Sequence, residues 1–111
     1  TPVIGFAGDA GFYYHMAEME TAARCGLNAV MVVHNNFSGG VAESAAFQKE
    51  VNFAQVANAM GCFGIRVEKP ADIRGALDKA LAAGKPAIVE IIGNAAIRAK
   101  RGWAPAGITG E

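Results

Sequence analysis

Residues 28–36 read Asn28-Ala29-Val30-Met31-Val32-Val33-His34-Asn35-Asn36, an apolar run that stops abruptly at two asparagines. Its continuous apolar character through His34 predicts a buried strand. Asn35-Asn36-Phe37-Ser38-Gly39-Gly40 then breaks it, because asparagine, serine and glycine all favour turns. Upstream, Val3-Ile4-Gly5-Phe6-Ala7 reads as a first buried strand, left through the turn Gly8-Asp9-Ala10. Between the two, Phe12, Met16, Met19, Ala22 and Ala23 recur every three or four residues, which predicts a helix over 11–25 with Gly26 as its left-handed cap. Downstream, Asn52 is placed to cap a helix over 53–60 that turns Phe53, Val56, Ala57 and Met60 inward and ends at Gly61. Phe63–Val67 reads as a third strand and Asp72–Ala83 as a helix striped by Ile73, Ala76, Leu77, Ala80 and Leu81. Gly84 caps that helix, and Pro86–Ile92 reads as a fourth strand. Residues 41–50 fit a short helix or an ordered loop. From Gly93 onward no period is clear, so 1–93 is read as the domain core and 94–111 as a tail.

Strands that alternate with helices and are apolar on both sides predict an α/β fold, a parallel sheet with helices on both faces. Right-handed crossovers put the C-terminal ends of all the strands on one edge, where open α/β sheets bind ligands. Both unusual turns leave such ends, so Asp9 and Asn36 are expected to meet there.

Composition sets limits around this. With 52% hydrophobic and 18% charged residues, 111 residues suffice for one domain with a core, and the fourteen glycines fit close backbone packing. Ten basic and ten acidic side chains cancel, which leaves no global field to favour nucleic acid or a membrane surface. No apolar run approaches the roughly 20 residues of a bilayer span, and no secretory signal pattern is present. Cys25 and Cys62 are too few for a disulfide framework or a zinc site and read as small buried apolar side chains, in keeping with a reducing cytoplasm. Thr1-Pro2 leads straight into the first strand without a methionine, which reads as a chain cut from something longer.

A carboxylate and an amide oxygen are hard ligands that suit Mg²⁺ or Ca²⁺ rather than zinc. Mg²⁺ completes its octahedron with waters and phosphates, free N–H groups at a helix start near Gly11 favour a phosphate, and Gly8 and Gly11 let a diphosphate approach the backbone. A Mg²⁺-diphosphate site is the expectation from these pieces. Gly5-Phe6-Ala7-Gly8-Asp9-Ala10-Gly11 is spaced G-x-x-G-x-x-G, not G-x-G-x-x-G, and no acidic residue ends a second strand, so a dinucleotide fingerprint fails.

The spacing has a known counterpart. Gly8-Asp9-Ala10, then the 24 residues 11–34, then Asn35-Asn36 resembles the motif of thiamine-diphosphate-dependent enzymes, which opens with Gly-Asp-Gly and closes with Asn-Asn. Glu18, Thr21, Ala22 and Arg24 resemble that family's Glu-x-x-Thr-Ala-x-Arg, and Gly40 falls where acetolactate-synthase-like members carry glycine. Phe53–Gly61, Val67-Glu68-Lys69-Pro70 and Gly84-Lys85-Pro86-Ala87 extend the likeness over about residues 3–92. The resemblance is to the C-terminal, diphosphate-binding domain of acetolactate-synthase-like and 2-oxoacid-decarboxylase-like enzymes, here in truncated form.

The resemblance implies that Asp9, the Asn36 side chain and the backbone carbonyl of Ser38 bind Mg²⁺. It also implies that Gly8, Ala10, Gly11 and Gly40 line thiamine diphosphate and that Asn35 supports the turn. Ala10 departs from the commoner glycine by one methyl. The catalytic glutamate that activates the cofactor's pyrimidine ring is implied to lie on another, pyrimidine-binding domain of the same or a neighbouring subunit of a homo-oligomer. A small 2-oxo acid or related carbonyl compound is the implied substrate. On this reading 111 residues alone bind the Mg²⁺ cofactor weakly and turn nothing over. The rivals are a small subunit of a split enzyme, a stand-alone non-catalytic binding module, and a nucleotide on the same edge.

Other residues read more plainly. The four methionines Met16, Met19, Met31 and Met60 read as core filler, and His34 as a packed or hydrogen-bonded strand histidine. His15 reads as a surface or interface residue, Glu20 as a solvated charge and Glu18 as a helix or interface anchor. Arg98, Lys100, Arg101 and Trp103 read as a solvated or packing arm rather than a nucleic-acid contact. Phe37, Gly39, Val41 and the stretch to Gln48 are expected to face substrate or the partner domain.

Overall fold

A computed structural model describes residues 1–39, 47 and 51–97. Gly40, Val41, Gln48 and the basic, aromatic tail residues lie outside that range, as does most of the 41–50 segment. The elements follow as β1 (Val3–Gly8), α1 (Asp9–Tyr13), α2 (Glu18–Arg24), β2 (Ala29–Asn35), α3 (Phe53–Ala59), β3 (Phe63–Val67), α4 (Ile73–Ala82) and β4 (Ala87–Ile92), with one 3₁₀ turn, Pro70–Asp72, leading into α4. All four strands are parallel and lie in the order β1-β2-β4-β3. The chain passes from β2 to β3 and then returns through α4 to fill the central slot with β4, so strands with helical crossovers account for the parallel pairing.

The two faces of the sheet bury separate clusters. On one, α4 sets Ala76 and Ala80, with Ile73 and Leu77 beside them, against Val30, Val32, Val67, Ala87 and Val89. On the other, Phe12 of α1 and Phe53 and Ala57 of α3 close on Val33 and Ile88, and Met16, Met19, Met31 and Met60 fill around them. Phe12 and Phe53 meet edge to face at 5.2 Å. α3 sits unusually close to β3 because Gly64 lacks a side chain: a Cβ there would overlap the Ala54 carbonyl. Asn58 fixes the contact by accepting from Gly64 N (2.8 Å) and donating to Gly64 O (3.2 Å).

Three expectations change. The helix over 11–25 is two helices, since bonds such as His15 N to Phe12 O (3.1 Å) and Met19 N to Met16 O (3.1 Å) tighten residues 14–19 into i→i−3 turns. Its end is as expected, with Gly26 at φ +66° and Leu27 N donating to Ala22 O. β1 is a strand but not a buried one: it forms an edge of the sheet, and Val3, Ile4 and Phe6 are 62%, 53% and 74% exposed. α4 packs on β4, β3 and β2, which leaves the Ile4 and Phe6 side of β1 bare among the described residues. His34, finally, is exposed rather than packed, and it lies on the α4 side against Gly93, where a Cβ would overlap its ring. Among the described residues no helix is long and apolar enough to cross a membrane.

Candidate functional site

β1 and β2 run in register with Gly8 opposite His34, so the residues that follow each leave adjacent strand ends on one edge of the sheet. Asp9 and the Asn35-Asn36 turn are therefore neighbours in the fold, although 25 residues lie between Asp9 and Asn35 in sequence.

Asp9 opens α1 directly from the strand. It is 5% exposed; its Oδ1 accepts from Ala10 N at 2.7 Å, and its Oδ2 is buried with no hydrogen-bond partner. A buried acceptor left unpaired costs about 1–3 kcal/mol, and more when the group is charged. The open carboxylate oxygen is thus a place where a cation would gain most. Gly8 and Gly11 flank it and are exposed, and a Cβ on either would meet nothing within 4 Å. That leaves room over the strand end for a phosphate, and Ala10 between them is half-buried.

The second turn is built by its own asparagines. Asn35 is fully buried; its Oδ1 accepts from Phe37 N at 3.0 Å, and its backbone carbonyl accepts from Gly93 N at 2.8 Å. The Asn36 Oδ1 accepts from Ser38 N at 3.0 Å, an Asx turn that uses one lone pair and leaves the other open. Phe37 between them has φ +61°, a left-handed conformation that costs a non-glycine residue roughly 1–2 kcal/mol. Among the described residues no group of three His, Cys, Asp or Glu side chains could hold a metal. A metal here would take a single carboxylate, amide and backbone carbonyl oxygens, and phosphate, a donor set that fits Mg²⁺.

Two residues that matter to this site were not singled out from sequence. Glu90 is fully buried in the middle of β4 and uses both carboxylate oxygens. Oε1 accepts from Asn35 Nδ2 at 2.7 Å, and Oε2 accepts from Ala54 N at 3.1 Å in the first turn of α3. Arg66, its register partner on β3, brings Nε to 3.3 Å from Oε2 and Nη2 to 3.4 Å from Oε1. The Nε contact counts as an ion pair by distance but not as a hydrogen bond by angle. Arg66 also donates to Val51 O at 2.9 Å, and its guanidinium lies 5.7 Å from the centre of the Phe37 ring. The available signal was a lone charge inside Ala87-Ile88-Val89-Glu90-Ile91-Ile92, since a charge in a strand buried on both faces needs a partner.

The remaining candidates fall away from the site. His15, Glu18 and Glu20 are exposed, and Glu20 pairs with Arg24 one turn on, Oε1 to Nε at 3.3 Å. Both cysteines are free thiols, and only Cys62 is buried as expected; Cys25, at the C-terminal end of α2, is exposed.

Comparison with known proteins identifies the family of the chain. Residues 1–91 match the family model described as the thiamine pyrophosphate enzyme, C-terminal TPP binding domain. The chain belongs to that family, as a thiamine-pyrophosphate-binding C-terminal domain of the kind found in acetolactate synthases and related lyases. It is similar to a 2-hydroxyacyl-CoA lyase of Arabidopsis thaliana, 32% identical over 106 residues that cover 81% of this chain and 18% of the relative. An acetolactate synthase large subunit of Mycobacterium tuberculosis is 29% identical over 101 residues, covering 81% and 18%. The fold matches that of a Mycobacterium smegmatis protein described as a thiamin diphosphate-dependent enzyme, with a TM-score of 0.70 at 22% identity over 84% of this chain and 18% of that one. The chain thus spans under a fifth of the length of these relatives.

Proposed function

We propose that this chain anchors the diphosphate of thiamine diphosphate through Mg²⁺, as part of an enzyme that makes or breaks a C–C bond next to a carbonyl. The observation that carries the proposal is the buried, unpartnered Oδ2 of Asp9 at the strand edge it shares with the Asn36 turn. Asp9, the Asn36 amide oxygen and the Ser38 backbone carbonyl would hold the metal. Gly8, Ala10, Gly11 and Gly40 would lie along the diphosphate.

When bound, the cofactor would supply a carbon nucleophile and a sink for negative charge next to a carbonyl. The chain's own part is binding and orientation. Asp9 offers a carboxylate already stripped of water, so little reorganisation remains when the cation arrives. Gly8 and Gly11 keep side chains out of the space over the strand end. Activation of the cofactor's pyrimidine ring is assigned to a second, pyrimidine-binding domain of the same or a neighbouring subunit, and a homo-oligomer is the proposed working form. A small 2-oxo acid or related carbonyl compound is the proposed substrate class. A cytoplasmic home belongs to the same reading and rests on cysteine usage.

A calorimetric titration with thiamine diphosphate, with and without Mg²⁺, tests this. Weak binding that requires the metal and disappears in Asp9→Ala is expected. Binding indifferent to both Mg²⁺ and Asp9 would overturn the proposal, and micromolar affinity for the isolated chain would overturn its dependence on a second domain.

A further inference from the structure

The turn that presents Asn36 and Ser38 is held at a strained residue, and two of the groups that hold it converge on one carboxylate. Phe37 sits at φ +61°, a conformation that a phenylalanine keeps only when its surroundings enforce it. Two contacts that lead to Glu90 help to do so: Asn35 Oδ1 accepts the Phe37 amide at 3.0 Å, and the Arg66 guanidinium faces the Phe37 ring at 5.7 Å; the Phe37 carbonyl separately accepts from Phe47 N at 3.0 Å. Asn35 and Arg66 are both fastened to Glu90, by 2.7 Å from Asn35 Nδ2 to Oε1 and by 3.3 Å from Arg66 Nε to Oε2. A carboxylate needed only to cap α3 would use Oε2 on Ala54 N, and its Oε1 could face any donor. Instead Oε1 takes the amide of the residue that begins the turn.

The geometry assigns Glu90 as a positioning residue: through Asn35 and Arg66 it holds Phe37 in the left-handed conformation and so fixes where the Asn36 amide oxygen and the Ser38 carbonyl stand. Its consequence for metal binding rests on the function proposed above, but its effect on the turn does not. Glu90 touches neither metal nor cofactor in this account; it acts one residue removed, as outer partners of metal ligands do.

The test has a ligand-free arm and a ligand arm, both on the full 111-residue chain. In the first, amide exchange is followed by ¹⁵N NMR in wild type, Glu90→Gln and Arg66→Lys. The Phe37 and Ser38 amides are expected to exchange faster relative to Ile88 and Val89 of β4, which report global opening. Arg66→Lys keeps the charge on a side chain that is partly in solvent, so it supplies the answer should Glu90→Gln fail to fold. In the second arm, Mg²⁺-dependent thiamine diphosphate affinity is expected to fall about tenfold or more in Glu90→Gln. Adding Phe37→Gly, which needs no clamp to adopt a positive φ, should return most of that affinity while the lowered melting temperature persists. A purely structural glutamate would show no such rescue. Exchange at Phe37 and Ser38 that merely tracks the β4 amides, or a Phe37→Gly change that recovers nothing, overturns the assignment. A wild-type chain that binds no Mg²⁺-cofactor while its turn still responds to Glu90→Gln would sink the proposed function and leave the clamp standing.

Discussion

Arg66 and Glu90 occupy facing positions of the parallel β3–β4 register, and their side chains form an ion pair of 3.3 Å on the face of the sheet covered by α3. Glu90 is fully buried, whereas Arg66 keeps 24% of its side chain in solvent. One charge therefore depends on its partner much more than the other does.

Arg66→Ala strands that carboxylate. Loss of one partner of a buried pair costs about 3–5 kcal/mol, and the partial exposure of Arg66 lowers the expected value to roughly 2–3 kcal/mol. Urea unfolding of Arg66→Ala, Glu90→Leu and the double variant Arg66→Met/Glu90→Leu checks it. The double is expected to remain below wild type, because it removes the unpaired charge but leaves Asn35 Nδ2 and Ala54 N without their acceptor, and to be more stable than Glu90→Leu, in which Arg66 also loses its partner.

Gly64→Ala would push a methyl into the Ala54 carbonyl and lift α3 from β3. A loss of about 1–3 kcal/mol is expected from such overpacking, again read by urea unfolding. The same change should loosen the Ala54 N–Glu90 bond, so the Phe37 amide should exchange faster in this variant too.

Burial pushes the Cys62 thiol above its usual value near 9.0, and nearby Lys85 opposes this only in part. A thiol with a raised folded pKa stabilises the fold fully below the unfolded pKa, and that contribution is lost as pH rises through the folded value. Stability from Cys62 is thus expected to hold to about pH 9 and to fall above it, an effect that Cys62→Ala should remove. A thiol reagent at pH 8 should modify exposed Cys25 at once and Cys62 only on unfolding.

Much of this fold was legible from residues whose neighbours in sequence are also their neighbours in cause. Val30 to Val33 and Ala87 to Val89 are apolar without interruption, and they form the interior strands β2 and β4. The caps were legible for the same reason: Asn52 accepts from Gln55 N at 2.9 Å, and Gly26, Gly61 and Gly84 all take positive φ. Burial of β1 was not legible, because apolar character does not tell whether a strand has a neighbour on each side; Phe6 is as apolar as Val32 and stands at an edge. The break within residues 11–25 was hidden as well, since i→i−3 and i→i−4 turns present nearly the same apolar spacing.

For the site, the sequence pointed to the two turns, and the register brings them to one edge of the sheet. It did not point to Glu90 or Arg66, whose meeting depends on β4 entering the sheet between β2 and β3. A charge 55 residues from Asn35 becomes its hydrogen-bond partner only through that insertion.

Whether Asp9 and the Asn36 turn hold one divalent ion for a diphosphate can be read residue by residue with a paramagnetic substitute. Mn²⁺ would be titrated at substoichiometric levels into ¹⁵N-labelled chain with thiamine diphosphate present, and amide broadening followed residue by residue. Selective loss of the Asp9, Ala10, Asn36 and Ser38 signals, absent in Asp9→Ala, is the predicted result. Broadening centred elsewhere, or unchanged by Asp9→Ala, would contradict it.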